Sequence, residues 1–204
     1  MPICQSITFP TILSQKLHRE RGCMNLRGRT FHFTSDVGVF SKNDIDFGSR
    51  LLIEQFQEPQ INGDILDVGC GYGPIGLSLA AEFEDRAVSM VDINDRAVEL
   101  AKRNASVNNI TNVTIQTSDI YSAIGETLRF AAVVTNPPIR AGKKVVHQIF
   151  EGAKDLLLPN GELWVVIQKK QGAPSAKDKL NEVFGNVEIV KKDKGYYIFK
   201  AQRV

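Results

Sequence analysis

Cysteine is scarce and poorly placed for metal or cross-links. The three present, Cys4, Cys23 and Cys70, show no CxxC spacing and no nearby histidine pair. That sets aside a structural zinc site and a disulfide scaffold, and it points to a reducing, cytoplasmic compartment. Long apolar runs are missing too: none approaches the ~20 residues that a membrane span needs. The start, Met1 to Gln15, lacks the basic head and apolar stretch of a secretory signal. An excess of one charge is also absent. The net charge is +2, too small to mark the whole chain as a nucleic-acid binder, so any basic surface has to be local. There is no internal repeat and no low-complexity segment. What remains is 204 residues, 43% hydrophobic and 24% charged, enough for one domain with a full core.

The chain opens with little pattern. Residues 1–24 read as a leader of uncertain structure with scattered basic residues. Arg29 to Phe33 alternate like a short strand, Thr34 to Asn43 are turn-rich, and Asp46 to Phe56 read as a helix with Ser49, Leu52, Ile53 and Phe56 on one face. From Ile65 the pattern is regular. Strands are expected at 65–68, 87–91, 113–116, 130–135 and 162–167. Helices are expected at 74–83, 95–104, 144–157 and 176–184, and an antiparallel pair at 187–190 and 196–199. Alternating strands and helices predict a doubly wound, mainly parallel sheet covered on both faces. Ligands of such sheets bind beyond the carboxyl ends of the strands, where the strand order reverses. Gly69 to Gly73, Asp92, Asp119 and Asn136 fall at those ends.

Asp67-Val68-Gly69-Cys70-Gly71-Tyr72-Gly73-Pro74-Ile75-Gly76 joins the first regular strand to a helix. Glycines there let the backbone turn and approach a ligand closely. Gly71, Gly73 and Gly76 satisfy GxGxxG, which by itself fits a nicotinamide site or a plain tight turn. Asp67, however, adds a carboxylate that would repel a pyrophosphate and attract the α-ammonium group of S-adenosylmethionine. Asp92 can accept hydrogen bonds from a ribose diol of either cofactor. Asp119 can accept from an adenine amino group, the Ile120 amide can donate to the ring, and Ile93 offers it an apolar face unless Ile93 is simply core.

Asn136-Pro137-Pro138-Ile139 follows an apolar strand. Two prolines hold the chain extended and remove donors. The Asn136 oxygen and the Pro137 carbonyl can then grip the two N–H bonds of one amine and aim its lone pair at a methyl sulfonium. Acceptors that strengthen as positive charge grows on nitrogen stabilise the transition state.

The segments Asp67 to Gly73, Val91-Asp92-Ile93-Asn94 and Asn136-Pro137-Pro138-Ile139 resemble the cofactor and amine motifs of class I S-adenosylmethionine-dependent methyltransferases. Phe33 to Lys42, Asp46-Phe47-Gly48-Ser49 and Arg140-Ala141-Gly142-Lys143 narrow the match. They resemble the small-domain methyltransferases related to the RNA guanine-N2 methyltransferase of the small ribosomal subunit. The resemblance covers Asn25 to Val204. It implies a seven-stranded sheet, methylation of a guanine amine in 16S ribosomal RNA, and Phe40, Ser41 and Lys42 over the methionine end of the cofactor. Phosphate contacts are expected from Arg140, Lys143 and Lys144, beside His147, with Lys169-Lys170 and Arg27 and Arg29 as further basic residues. Lys191, Lys192 and Lys194 read as ordinary solvated lysines. Three readings stay open at this point. They are an RNA guanine methyltransferase, an amine methyltransferase of a protein glutamine or small molecule, and a nicotinamide-dependent oxidoreductase.

Overall fold

The computed structural model describes residues 19–36 and 45–204. Strand β1 (Arg19–Leu26) and β2 (Arg29–Asp36) form a two-stranded antiparallel ribbon. The remaining strands are β3 (Asp64–Val68), β4 (Val88–Asp92), β5 (Val113–Thr117), β6 (Phe130–Thr135), β7 (Leu157–Gln168), β8 (Glu188–Asp193) and β9 (Tyr196–Gln202). They make one sheet in the order β5-β4-β3-β6-β7-β9-β8. The first five run parallel, and β9 and β8 close it antiparallel, the doubly wound sheet with a terminal antiparallel pair that the pattern predicts. The order reverses between β3 and β6, which puts a crevice beyond Val68 and Thr135.

Alternate strand residues go to opposite faces. Ile65, Met90, Val134, Trp164 and Ile198 meet α1 (Phe47–Gln55), α2 (Pro74–Glu82) and α3 (Asp95–Val107). Leu66, Val91, Val133, Val165 and Phe199 meet α4 (Lys143–Leu156) and α5 (Ala173–Phe184). Pro74 occupies the first turn of α2, where its missing N–H costs no helical bond.

Four expectations shift. Residues 19–24, read as part of a leader of uncertain structure, are most of β1. Thr34 to Asp36, expected in a turn, finish β2. The ribbon leans on α3. Asn108 Oδ1 accepts from His32 N–H at 2.8 Å, and Asn104 Oδ1 accepts from Thr34 N–H at 2.8 Å. Their amide groups donate back to the His32 and Thr34 carbonyls. Two asparagines one helical turn apart thus imitate a strand edge, and α3 runs past Asn104, where the pattern ends it. Finally, β7 starts at Leu157, ahead of Glu162. Pro159-Asn160-Gly161 stays in the sheet because Asn160 N–H donates to the Arg203 carbonyl at 2.7 Å and Arg203 N–H to the Gly161 carbonyl at 2.9 Å.

Candidate active site at the sheet crevice

The glycine turn after β3 is held by its own backbone. Gly69 and Cys70 N–H both donate to the Val91 carbonyl, at 2.8 and 2.9 Å, and Gly73 N–H donates to the Cys70 carbonyl at 3.0 Å. Gly69 and Gly71 adopt left-handed φ of 73° and 58°. A β-carbon built on either meets no atom within 4 Å. The space they border is open, a cradle that side chains would fill. Cys70 turns inward. Its thiol is buried and burial pushes its pKa well up. The Tyr72 carbonyl accepts from Asn104 Nδ2 at 2.8 Å, which joins this turn to α3 and through it to the ribbon.

Asp92 faces the turn. Its Oδ2 accepts from Gly71 N–H at 2.8 Å and its Oδ1 from Asn94 N–H at 2.9 Å. Each oxygen keeps a lone pair for a ligand hydroxyl. Ile93 is 68% exposed, which overturns its reading as a core residue. An exposed isoleucine beside a carboxylate at a strand end is suited to a flat apolar ligand face. Asp119 is exposed on the neighbouring turn, and Ile120 sits at φ 49°, a conformation β-branched residues rarely take.

Asp67 is fully buried. One oxygen accepts from Gly76 N–H at 2.8 Å, and Oδ1 has no partner among the described residues. Burial raises its pKa to about 7, opposed by the Gly76 bond and aided by the Asp92 charge. A buried oxygen lacking a donor costs free energy unless a proton or a cation supplies the missing partner. The cradle, the exposed Ile93 and this orphan oxygen together fit S-adenosylmethionine, whose α-ammonium is such a cation.

At the end of β6, Thr135 Oγ1 donates to the Val68 carbonyl at 2.8 Å and fixes the two strand ends together. Asn136 Nδ2 donates to both oxygens of Asp46, at 3.3 and 3.2 Å, and to Ser49 Oγ at 3.0 Å. A carboxylate only accepts, so the amide nitrogen must face it. Asn136 Oδ1 is thereby turned the other way, and no donor among the described residues reaches it. Asp46 is also the N-cap of α1, with Oδ1 accepting from Gly48 and Ser49 N–H at 2.9 and 3.2 Å. The Pro138 carbonyl is taken by Ala141 N–H at 2.9 Å, whereas none of the described N–H groups takes that of Pro137. Ile139 is half-buried against the α4 side of the core, so it is no free stacking surface.

Arg140, Lys143 and Lys144 are exposed on a short 3-10 turn, Ile139–Ala141, and the first turn of α4. Phe40, Ser41 and Lys42 lie outside the described residues. Asp46, Ser49, Tyr196 and Lys194 carry no assigned role in the sequence reading, yet the crevice gathers them. Tyr196 presses so closely on α1 that a β-carbon at Gly48 would meet its ring at 2.8 Å. Burial and the Asp46 charge raise its phenol pKa. Lys194 Nζ lies 4.7 Å from the Phe47 ring centroid, and Lys169 N–H donates to the Gly195 carbonyl at 2.7 Å. Lys194 is exposed, as expected of a solvated lysine, with its ammonium against Phe47 at the start of α1. The Asp46-x-x-Ser49 capping pattern before an apolar helix was the one signal that could have singled out α1.

Comparison with known proteins agrees with this geometry. The chain is 59% identical over 191 residues to the uncharacterized protein YbxB of Bacillus subtilis (strain 168), covering 94% of this chain and 95% of that one. It is 33% identical over 169 residues to ribosomal RNA small subunit methyltransferase C of Actinobacillus pleuropneumoniae serotype 7, covering 80% of this chain and 50% of that protein. In structure it is similar to the 16S rRNA N2 G1207 methyltransferase of T. thermophilus, solved with AdoMet and guanosine. The TM-score is 0.81 and the identity 27%, over 91% of this chain and 51% of that one. The chain thus spans about half the length of the curated rRNA methyltransferases it matches. The nicotinamide reading of the glycine fingerprint falls away with these matches. The model of the methyltransferase small domain matches residues 30–200, and the chain belongs to that family of S-adenosylmethionine-dependent methyltransferases.

Proposed function

We infer that this methyltransferase acts on the exocyclic N2 amine of a guanine in 16S ribosomal RNA, in the cytoplasm, through a catalytic domain spanning 25–204. The observation that carries the reading is the Asn136 amide, tied at its nitrogen to Asp46 and Ser49 and open at its oxygen. S-adenosylmethionine supplies an electrophilic methyl group when bound. In this reading Asp92 holds its ribose hydroxyls, Ile93 lies on the adenine face, Asp119 and the Ile120 amide meet the adenine edge, and Asp67 balances the ammonium. Gly69 and Gly71 leave room for it, Gly73 lets the turn pack on Leu77, which a β-carbon would meet at 2.9 Å, and Phe40, Ser41 and Lys42 are assigned to the methionine end.

Asn136 Oδ1 and the Pro137 carbonyl accept the two N–H bonds of the substrate amine. They hold it at a fixed angle and strengthen as charge grows on nitrogen. The proton leaves after the new bond forms, so no strong base is needed beforehand. Pro138 and Ile139 stiffen the loop. Arg140, Lys143 and Lys144 meet RNA phosphates on one flank and Lys169 and Lys194 on the other. A local basic rim of this kind is compatible with the small net charge. Relatives with rRNA methyltransferase names support the choice of polymer.

The test is transfer of labelled methyl groups from S-adenosylmethionine to small ribosomal subunits, free rRNA and protein fractions, followed by nucleoside analysis. Label in N2-methylguanosine is expected. Label confined to protein, or to another nucleoside, would overturn the reading.

A further inference from the structure

The acceptors at the crevice outnumber what one amine needs. Asn136 Oδ1 and the Pro137 carbonyl make two. The third is Asp46. Its Oδ1 is crowded by Gly48 N–H, Ser49 N–H and Asn136 Nδ2, at 2.9, 3.2 and 3.3 Å. Among the described residues its Oδ2 accepts only from Asn136 Nδ2, at 3.2 Å, which leaves it a lone pair. The residue is only half-buried, so its carboxylate is not sealed into the core. No cation among the described residues neutralises this carboxylate. Lys194 rests on the Phe47 ring.

A third acceptor beside an amine grip is informative because the bases differ there. In guanine the 2-amino group adjoins a ring N1–H, so that edge offers three donors in a row. Adenine and cytosine place a ring acceptor next to the amine, and a glutamine side chain places a carbonyl. A carboxylate lone pair attracts the guanine N1–H and repels all three alternatives. We propose that Asp46 is the residue that selects guanine, its Oδ2 accepting from N1–H while its contact with Asn136 aims the amide oxygen at N2. This rests on the amine-gripping reading of Asn136 and deepens it from an amine to a base.

The experiment measures equilibrium binding of nucleosides to the whole protein saturated with S-adenosylhomocysteine. Guanosine, 1-methylguanosine (which lacks the N1–H) and adenosine are compared for the wild type and for Asp46→Asn. Asparagine keeps the helix cap, and thermal shift and cofactor affinity check that the variant is folded. The wild type should bind guanosine about 10- to 100-fold more tightly than 1-methylguanosine, the loss of one charge-assisted bond. Asp46→Asn should bring the two within about twofold and narrow the gap to adenosine. A merely structural Asp46 would weaken every nucleoside alike and leave the ratio unchanged. Equal binding of guanosine and 1-methylguanosine by the wild type overturns the role of Asp46 while leaving the amine grip intact, and it does so even if the variant does not fold. Failure of guanosine itself to bind overturns both.

Discussion

The Asn136 amide has one end tied down and one end open, and each end can be tested. Asn136→Ala removes the acceptor and should lower single-turnover methyl transfer by ~10²–10³ with S-adenosylmethionine affinity unchanged. Sequence reasoning alone leaves Asn136→Asp ambiguous, since an oxygen survives. The structure decides it. A carboxylate there would stand about 3.2 Å from the oxygens of Asp46, where only a donor is tolerated. Asn136→Asp should therefore do no better than Ala. Pairing it with Asp46→Asn, which restores a donor opposite an acceptor, should recover part of the lost rate. An Asp variant with near-normal single-turnover kinetics would sink the role assigned to the Asn136–Asp46 contact.

Asp67 carries the second prediction at this scale. Burial raises its folded pKa to about 7 from an ordinary 3.8. The unfolded chain releases that proton first, so between those values only the folded state holds it. Stability contributed by Asp67 is fully present below about pH 4, declines as pH rises, and is lost above about 7. Asp67→Asn keeps an acceptor for Gly76 and cannot ionise. Relative to the wild type it should gain stability on the order of a few kcal/mol between pH 4 and 7.5, measured by urea unfolding without cofactor. Parallel pH profiles would show that the buried carboxyl titrates normally.

Among the elements, the turn after β3 can be separated from its own strain. Gly71 and Gly185 share left-handed φ, 58° and 74°, and neither has an atom within 4 Å of an added β-carbon. Alanine at either should cost about 1 kcal/mol by backbone strain alone. Only Gly71→Ala should also weaken cofactor binding, because Gly185 caps α5 far along the chain. Thermal shift and cofactor titration on the two variants decide it, and equal cofactor affinity would reduce the turn to a structural role. Gly71 is plain in the sequence, as are β3 and β6, because buried parallel strands write continuous apolar runs, whereas β5 at the sheet edge reads by its alternation. Strand β1 is not legible. Arg-Glu-Arg-Gly-Cys-Met-Asn-Leu has too little apolar alternation, since its ribbon is anchored through the side chains of Asn104 and Asn108. The same pairings extend α3 beyond Asn104, a residue that usually signals a helix end. Asp46 is the corresponding case in the site. Its capping pattern is readable, but its partner lies 90 residues away and no local spacing announces it.

For the whole molecule, a net charge of +2 leaves the proposed RNA binding to the arrangement of charges around the crevice. Arg140 and Lys143 sit at the start of α4 and Lys169 just after β7, and on the proposed reading these, with Lys194, flank the RNA. Reversing the first pair with Arg140→Glu and Lys143→Glu should leave cofactor affinity intact and lower rRNA methylation most at low salt, where phosphate contacts count most. Rates of methylation across a salt series measure this. A double variant with wild-type rates at every salt would move the RNA surface elsewhere.

The bonds that aim Asn136 cross 90 and 87 residues of chain. Helices and neighbouring strands close short loops and form early, whereas this contact must wait until α1, β3 and β6 are docked. A refolding chain should therefore regain its helical signal before the Asn136–Asp46 contact, and on the proposed reading methyl transfer returns only with that contact.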